Sequence, residues 1–320
     1  MTKDISSHYE SHTSTSYESA FFYSEGEYTQ WLCDLVRDTF NIHQETDDDN
    51  KQLNSCCNDD YIKADDDQSM IRKNRVLLDV GGGTGNFTSM VIQDVDSMNA
   101  VVIDPFLPAT TLSSPSGSDV DKDDEQQKKL RFVKASAEEF IPHTNDEHTD
   151  NTTDEKVVPW WKTDYNHILL KEVVHHFDSK ERVGIFTGLR NGMLSSVEEG
   201  KEDNSPSLLI VTRPQIDIDY PMWPAAKKVW AANQPSADDI EADLHSAGFT
   251  DIRRDIKSYP CEIKLETWLG MVRNRFWSTF SHFTNEEIEV GCDIIAKEAK
   301  PNEEGKVKFE ERLLFITAKK

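Results

Sequence analysis

The chain is short of positive charge. It carries 35 Lys and Arg against 59 Asp and Glu, and no basic block occurs anywhere. Phosphate binding rests on clustered Lys and Arg, so this balance argues against nucleic acid as a substrate or partner. Long apolar runs are lacking too. None approaches transmembrane length, and the polar, aromatic first 30 residues do not read as a signal peptide, so no membrane association is expected. Cysteine is scarce: five residues, an odd number without regular spacing, argue against a disulfide framework and for a reducing, cytoplasmic setting. Cys56 and Cys57 adjoin each other with no Cys or His partner at ligand spacing, so they read as free thiols and no metal is expected.

At 320 residues the chain has room for one large α/β domain with additions, or two small ones. The excess acid is localised. Residues 45–67 hold nine acids against two lysines, and 119–129, 146–156 and 198–203 repeat the bias on a smaller scale. Such Asp/Asn/Ser-rich stretches cannot bury a core and read as solvated loop insertions. The division that follows is a disordered tail over 1–16, an aromatic lid and helix over 17–44, and an acidic insertion over 45–70. The main domain covers 71–320, with acidic loops at 111–129, 143–156 and 196–206 and a helical cap at 214–235 and 262–300.

Within the main domain, short apolar runs alternate with helical patterns. Strands are expected at 75–80, 100–104, 130–133, 167–170 and 208–211, with helices at about 84–96 and 179–193 between them. Helices follow at 222–232 and 236–247, a strand at 251–257, helices near 265–276 and 285–299, and a last strand at 312–317. Strand–helix alternation through 75–211 demands a parallel sheet with helices on both faces. Before it, Trp31, Leu32, Leu35, Val36 and Phe40 fall at helical spacing.

The most informative stretch is 76–88, where an apolar run leads into Asp79, then Gly81, Gly82, Gly83 and Gly85, then a helix start. That is a buried strand feeding a tight turn beneath the N-terminus of a helix, where a ligand can approach bare backbone. No Gly-Lys-Ser/Thr follows, so this is not a Walker phosphate loop. The spacing nearly fits a dinucleotide fold, and about twenty residues on, Val101-Val102-Ile103-Asp104 reads as a second strand ending in an acid suited to ribose hydroxyls. A nicotinamide enzyme and a nucleoside-cofactor enzyme both remain open on these residues.

The run Asp79-Val80-Gly81-Gly82-Gly83-Thr84-Gly85 resembles motif I of the class I S-adenosylmethionine (SAM)-dependent methyltransferases. The resemblance extends to Asp104, to Ser246-Ala247-Gly248-Phe249 before the sixth strand, and to Leu170-Lys171-Glu172-Val173-Val174-His175-His176-Phe177, which looks like the corresponding segment of the UbiE and type 11 small-molecule group. It covers residues 75 to 318, with insertions. It implies a Rossmann-like, doubly wound α/β sheet of seven strands with an antiparallel last strand, SAM as cofactor, and a small-molecule methyl acceptor whose atom is undetermined. A protein methyltransferase and a non-catalytic SAM-binding scaffold are the alternatives.

Under the resemblance, Asp79, Gly81, Gly83 and Gly85 hold the methionine portion of SAM, Asp104 the ribose, and Pro105 with Phe106 the adenine. Ser136, Ala137 and Glu138 occupy the adenine-reading position, although many relatives place Asp where Ser136 stands, and Asn166 likewise replaces an expected Asp. Lys171 is a further cofactor contact. His175 or His176 is a candidate general base, since histidine accepts a proton near neutral pH. The aromatic stretch from Tyr17 to Tyr28 is the candidate lid, with Tyr23 over the cofactor and Tyr17 and Phe22 toward the substrate. Arg213, following the fifth strand, is expected to clamp a substrate carboxylate, with Trp223 and Arg273 lining the same pocket.

Overall fold

The computed structural model describes residues 26–42, 75–93, 95, 98–107, 129–141, 165–194 and 205–320. The tail 1–16 and the lid residues Tyr17, Phe22 and Tyr23 lie outside the described residues, as do the acidic insertion 45–70 and nearly all of the acidic loops.

Seven strands form one sheet: β1 (Arg75–Val80), β2 (Met98–Ile103), β3 (Leu130–Val133), β4 (His167–Lys171), β5 (Ser207–Thr212), β6 (Thr250–Lys264) and β7 (Lys306–Lys319). Their order is β3-β2-β1-β4-β5-β7-β6. The first five are parallel, and β7 runs antiparallel to both its neighbours. This is the Rossmann-like seven-stranded sheet with an antiparallel last strand that the sequence implies. Strands β1, β2, β4 and β5 are nearly continuous apolar runs because helices cover both their faces.

Helix α1 (Glu27–Phe40) and α2 (Asn86–Ile92) cover one face, placing Val36, Phe40, Val91 and Ile92 on Leu77, Leu169, Leu209 and Val211. Helices α3 (Ala137–Phe140), α4 (Arg182–Gly192) and α6 (Ala237–Ser246) cover the other. There Phe140, Phe186, Leu189 and Leu244 pack on Leu78, Ile168, Leu170 and Ile210. The Arg37 guanidinium on α1 donates to the carbonyls of Met90, Val91 and Gln93 at the end of α2, where helical acceptors run short of donors. Among the described residues, no helix is long and apolar enough to cross a membrane, and no group of three metal-ligating side chains occurs.

The last two strands are longer than expected, β6 by seven residues at its far end and β7 by six at its near end. Those extensions are rich in charge, such as Lys306, Lys308, Glu262 and Lys264, and lack an apolar run. Their strand character comes from pairing: the ladder continues unbroken from Arg253↔Thr317 to Lys264↔Lys306. Thr212, the last residue of β5, pairs with Leu314, so β7 begins eight residues beyond the carboxyl end of the parallel strands. At about 3.3 Å per residue that is a wall rising roughly 25 Å above the sheet. A second core rests on this wall, built from α5 (Pro224–Asn233), α7 (Leu265–Arg273) and α8 (Asn285–Glu298). Trp223, Trp230, Trp268, Trp277, Phe280 and Phe309 dominate it.

Candidate active site

In open α/β sheets, ligands bind beyond the carboxyl ends of the strands, where strand order reverses. Here that point is the tip of β1, between β2 and β4. The glycine loop leaves β1 with Gly81, Gly83 and Gly85 all at positive φ. The glycines differ in what surrounds them. A Cβ on Gly85 would lie 2.7 Å from the Phe132 ring, whereas one on Gly83 would meet nothing within 4 Å. Gly85 is therefore a packing requirement, while Gly83 faces open space.

Asp104 follows β2 and ties this loop down. Its Oδ2 accepts the Gly83 N–H at 3.1 Å and its Oδ1 the Phe106 N–H at 2.7 Å. Each oxygen keeps lone-pair capacity for a further donor. Burial pushes the Asp104 carboxyl above its ordinary value, and the two backbone bonds hold it back. Pro105 is exposed, and the Phe106 ring is 48% exposed at the cleft rim. Asp79 is placed differently: it is 2% exposed, lies under Gly82, and accepts the Thr88 hydroxyl through Oδ2. Burial pushes its carboxyl up to about 6, against the Thr88 bond and the nearby Lys171 charge. Lys171, at the end of β4, holds its ammonium 5.1 Å from the Phe87 ring centroid.

The segment after β3 serves local structure first. Ser136 is the N-cap of α3 in a capping box with Glu139, and Ala137 is in the core. Glu138 is exposed at the start of that helix.

At the tips of β4 and β5 the chain buries a charged cluster. Arg213 donates to Glu172, to Tyr220 and to Glu311, and Tyr220 in turn donates to Glu311. Glu311 is 0% exposed, and Arg213 is buried with it. Burial alone pulls the Arg213 pKa down, but Glu172 and Glu311 more than reverse this, so the guanidinium stays charged. Arg213 is thus consumed by an internal ion pair and is not held out to clamp a substrate carboxylate. Trp223 stacks on Phe280 inside the cap, with centroids 5.6 Å apart. Arg273 pairs with Glu289 on the helical surface. The structure therefore does not bring Arg213, Trp223 and Arg273 into one pocket.

His175 and His176 sit on a 3₁₀ turn just past β4, rings 4.0 Å apart. His176 is exposed; His175 Nδ1 is sealed from solvent and has no hydrogen-bond partner. Burial, with a contribution from Arg213, lowers the His175 pKa to about 4, so its ring is neutral at physiological pH. Glu172 adopts the left-handed region at φ +57, a strained conformation for a non-glycine residue. Of eight buried polar atoms without partners among the described residues, four, Asp79 Oδ1, Glu172 Oε1, His175 Nδ1 and Thr212 Oγ1, stand at the carboxyl ends of β1, β4 and β5; the others belong to Arg190, Gln234, Glu241 and Trp277.

Two participants escaped the sequence reading: Glu311 and Tyr220 as the partners of Arg213. Glu311 hides in the polar triplet Glu310-Glu311-Arg312, yet it continues the alternation of Val307, Phe309 and Leu313 that points inward along β7. That period of two is the signal that finds it.

No family model matches the chain, and no curated protein matches it by sequence. Among solved structures it is similar to a cyclopropane synthase from Mycobacterium tuberculosis, at 14% identity and a TM-score of 0.41 over 77% of this chain and 78% of that one. It is similar also to a methyltransferase of Bacillus halodurans, so described only provisionally, at 14% identity and TM-score 0.42 over 77% of this chain and 92% of that one. A third is the phosphoethanolamine N-methyltransferase 2 of Haemonchus contortus, at 11% identity and TM-score 0.40 over 77% of this chain; the chain spans about half of that protein, 49%. At these scores the likenesses decide nothing about the site, whose reading rests on its own residues.

Proposed function

We propose that the chain is a SAM-dependent methyltransferase acting on a small molecule. One observation carries this reading: the Gly83 backbone, with open space around its Cα, is pinned to the Asp104 carboxylate at the switch point of the sheet. The residues present fit the cofactor. Gly83 offers bare backbone, the remaining lone pairs of Asp104 suit two ribose hydroxyls, and the exposed Phe106 and Pro105 offer an apolar flank to a purine. Asp79 acts from beneath, bonding Thr88 and supporting the loop rather than meeting the ligand. Bound SAM supplies a methyl group already activated by its sulfonium.

The chain's own task is then to orient the acceptor and exclude water, which in favourable cases contributes roughly 7–11 kcal/mol. Lys171 ends β4, the strand beside β1 at the switch point, and Glu172 and His175 follow it. A cytoplasmic setting goes with this reading, supported by the free, buried thiols of Cys33, Cys261 and Cys292. The segment 17–44 belongs to the same proposal as a cover. Its support is Tyr28, which packs on Tyr259 of the wall at 5.4 Å and feels the charge of Glu311, Arg213 and Glu172.

Calorimetric titration with SAM and S-adenosylhomocysteine tests the reading. Micromolar binding to the parent, lost in Asp104→Ala while the variant still melts in one cooperative transition, is the expected outcome. No binding of either compound to the parent protein refutes it.

A further inference from the structure

Arg213 joins three strand ends. It follows β5, and its guanidinium donates through Nε to Glu311 of β7 at 2.9 Å and through Nη1 to Glu172, the residue after β4. Desolvation offsets much of the attraction inside a buried ion pair, so stability alone is a weak reason for one. Glu172 supplies another. It stands in the left-handed region at φ +57, a conformation that persists only where the surroundings over-determine it. Two constraints do so here: Arg213 holds the carboxylate, and the Glu172 N–H is tied to the Val211 carbonyl at 2.8 Å.

The strained residue sets the course of the next one. Val173 follows at φ −122 and ψ −27, and its side chain meets the glycine loop. A Cβ on Gly81 would lie 2.6 Å from Val173 Cγ2 and 3.0 Å from its Cβ, so the loop backbone rests directly on the valine. The Gly81 N–H in turn bonds the Ile103 carbonyl at 2.7 Å, one residue before the acid that holds Gly83. Asp104 and Phe132 brace the loop from the side of β2 and β3, and Val173 braces it from the side of β4. Contacts therefore run from Glu311 through Arg213, Glu172 and Val173 to Gly81, across the tips of β7, β5, β4 and β1.

We propose that Arg213 is a positioning residue for the cofactor loop: by fixing Glu172 it keeps Val173 against Gly81 and so holds the loop in the shape that receives the ligand. Naming that ligand as SAM rests on the methyltransferase reading above; the bracing itself does not.

Glu172→Gly is the informative change, because glycine accepts the left-handed conformation freely while the link to Arg213 is lost. In the full chain titrated with S-adenosylhomocysteine, Glu172→Gly and Val173→Ala should each weaken binding about tenfold, and the double variant should bind no worse than either single one. Glu172→Gln, whose amide oxygen still accepts from Arg213, should stay near the parent. A role confined to stability would move the melting temperatures and leave this pattern of affinities unmoved. Amide exchange in the unliganded chain reads the same coupling without a ligand: the N–H groups of Gly81 and Gly83 should exchange faster in Glu172→Gly and Val173→Ala than in the parent or Glu172→Gln. Unchanged exchange in both variants, or unchanged affinity in both where the parent binds, overturns the proposal. So do losses that multiply in the double variant, since these would place Glu172 on the ligand itself. A parent that does not bind refutes the cofactor reading instead, and exchange alone then decides the bracing. If Glu172→Gly does not fold, Val173→Ala carries both readouts.

Discussion

Asp104 holds Gly83 across 21 residues of sequence, its Oδ2 accepting the glycine N–H at 3.1 Å. Because this bond spans the tips of β2 and β1, the acid that would receive a ribose also sets the shape of the loop beside it. Loop and acid form one preorganised unit, and the two neighbouring glycines can be separated by mutation.

Gly83→Ala and Gly85→Ala should fail for different reasons. Both place a Cβ at positive φ, at a cost of roughly 1–2 kcal/mol. Only the Gly85 substitution also drives a methyl into Phe132, adding about 1–3 kcal/mol of overpacking. Urea unfolding should rank Gly85→Ala as clearly the less stable. Gly83→Ala should stay folded and lose SAM binding, its methyl projecting into the cradle; retained binding would show that the ligand does not approach there.

Removing Glu311 should be severe. Arg213 keeps Glu172 as its counter-charge, but the Glu311 acceptor for Arg213 and for the Tyr220 hydroxyl is gone, and each donor left short costs about 1–3 kcal/mol. Tyr220→Phe removes one donor from Glu311 and should cost about 1–3 kcal/mol. Since both act on one network, the double variant should lose less than the two single losses combined, as read in a denaturation cycle. Strict additivity would mean the network is not coupled.

Asp79 should weaken the fold at neutral pH. Its folded pKa is about 6 against an ordinary 3.8, so over that interval the folded chain holds a proton the unfolded chain has released. Stability therefore falls as pH rises through the window, and the deficit, about 3 kcal/mol, is complete above it. Asp79→Asn keeps an acceptor for Thr88 and should be the more stable protein at pH 8, with the gain gone near pH 4. An equal gain at both pH values would point to a cause other than titration.

His167 carries the opposite sign. Burial lowers its pKa to about 3 from an ordinary 6.5, where its ring packs at a tilt against Phe40 and bonds Ser207. Below 6.5 the unfolded chain takes up a proton that the folded ring refuses, so stability is lost as pH falls toward 3. His167→Asn should be less stable at pH 7 and show a shallower decline in acid. Guanidinium titrations at several pH values would reveal an unchanged slope if some other group governs acid unfolding.

The parallel half of the fold was legible because each of its strands is a short apolar run, and β1 and β3 fall at their expected residues. The outer halves of β6 and β7 were not, because their strand character lies in pairing with each other and leaves no apolar run to read. The glycine loop and Asp104 were legible because backbone geometry and strand order leave few alternatives for them. Arg213 misled for a definite reason: its position after β5 is visible in sequence, whereas its partner Glu311 lies 98 residues away and meets it only in the folded sheet. Trp223 and Arg273 belong with it. Aromatic and basic side chains mark a pocket or a core equally well until their neighbours are known.

The wall built by β6 and β7 has one further consequence. Ile316 of β7 lies in the sheet's own core, and Phe309 of the same strand lies in the tryptophan-rich core above. Between them, Glu311 carries the charge network. One unbroken strand therefore runs through both hydrophobic clusters, and neither can melt without fraying the ladder that supports the other. Despite two cores, the described body should unfold cooperatively, and a ligand seated at the strand tips would stabilise the distant helices as much as the sheet.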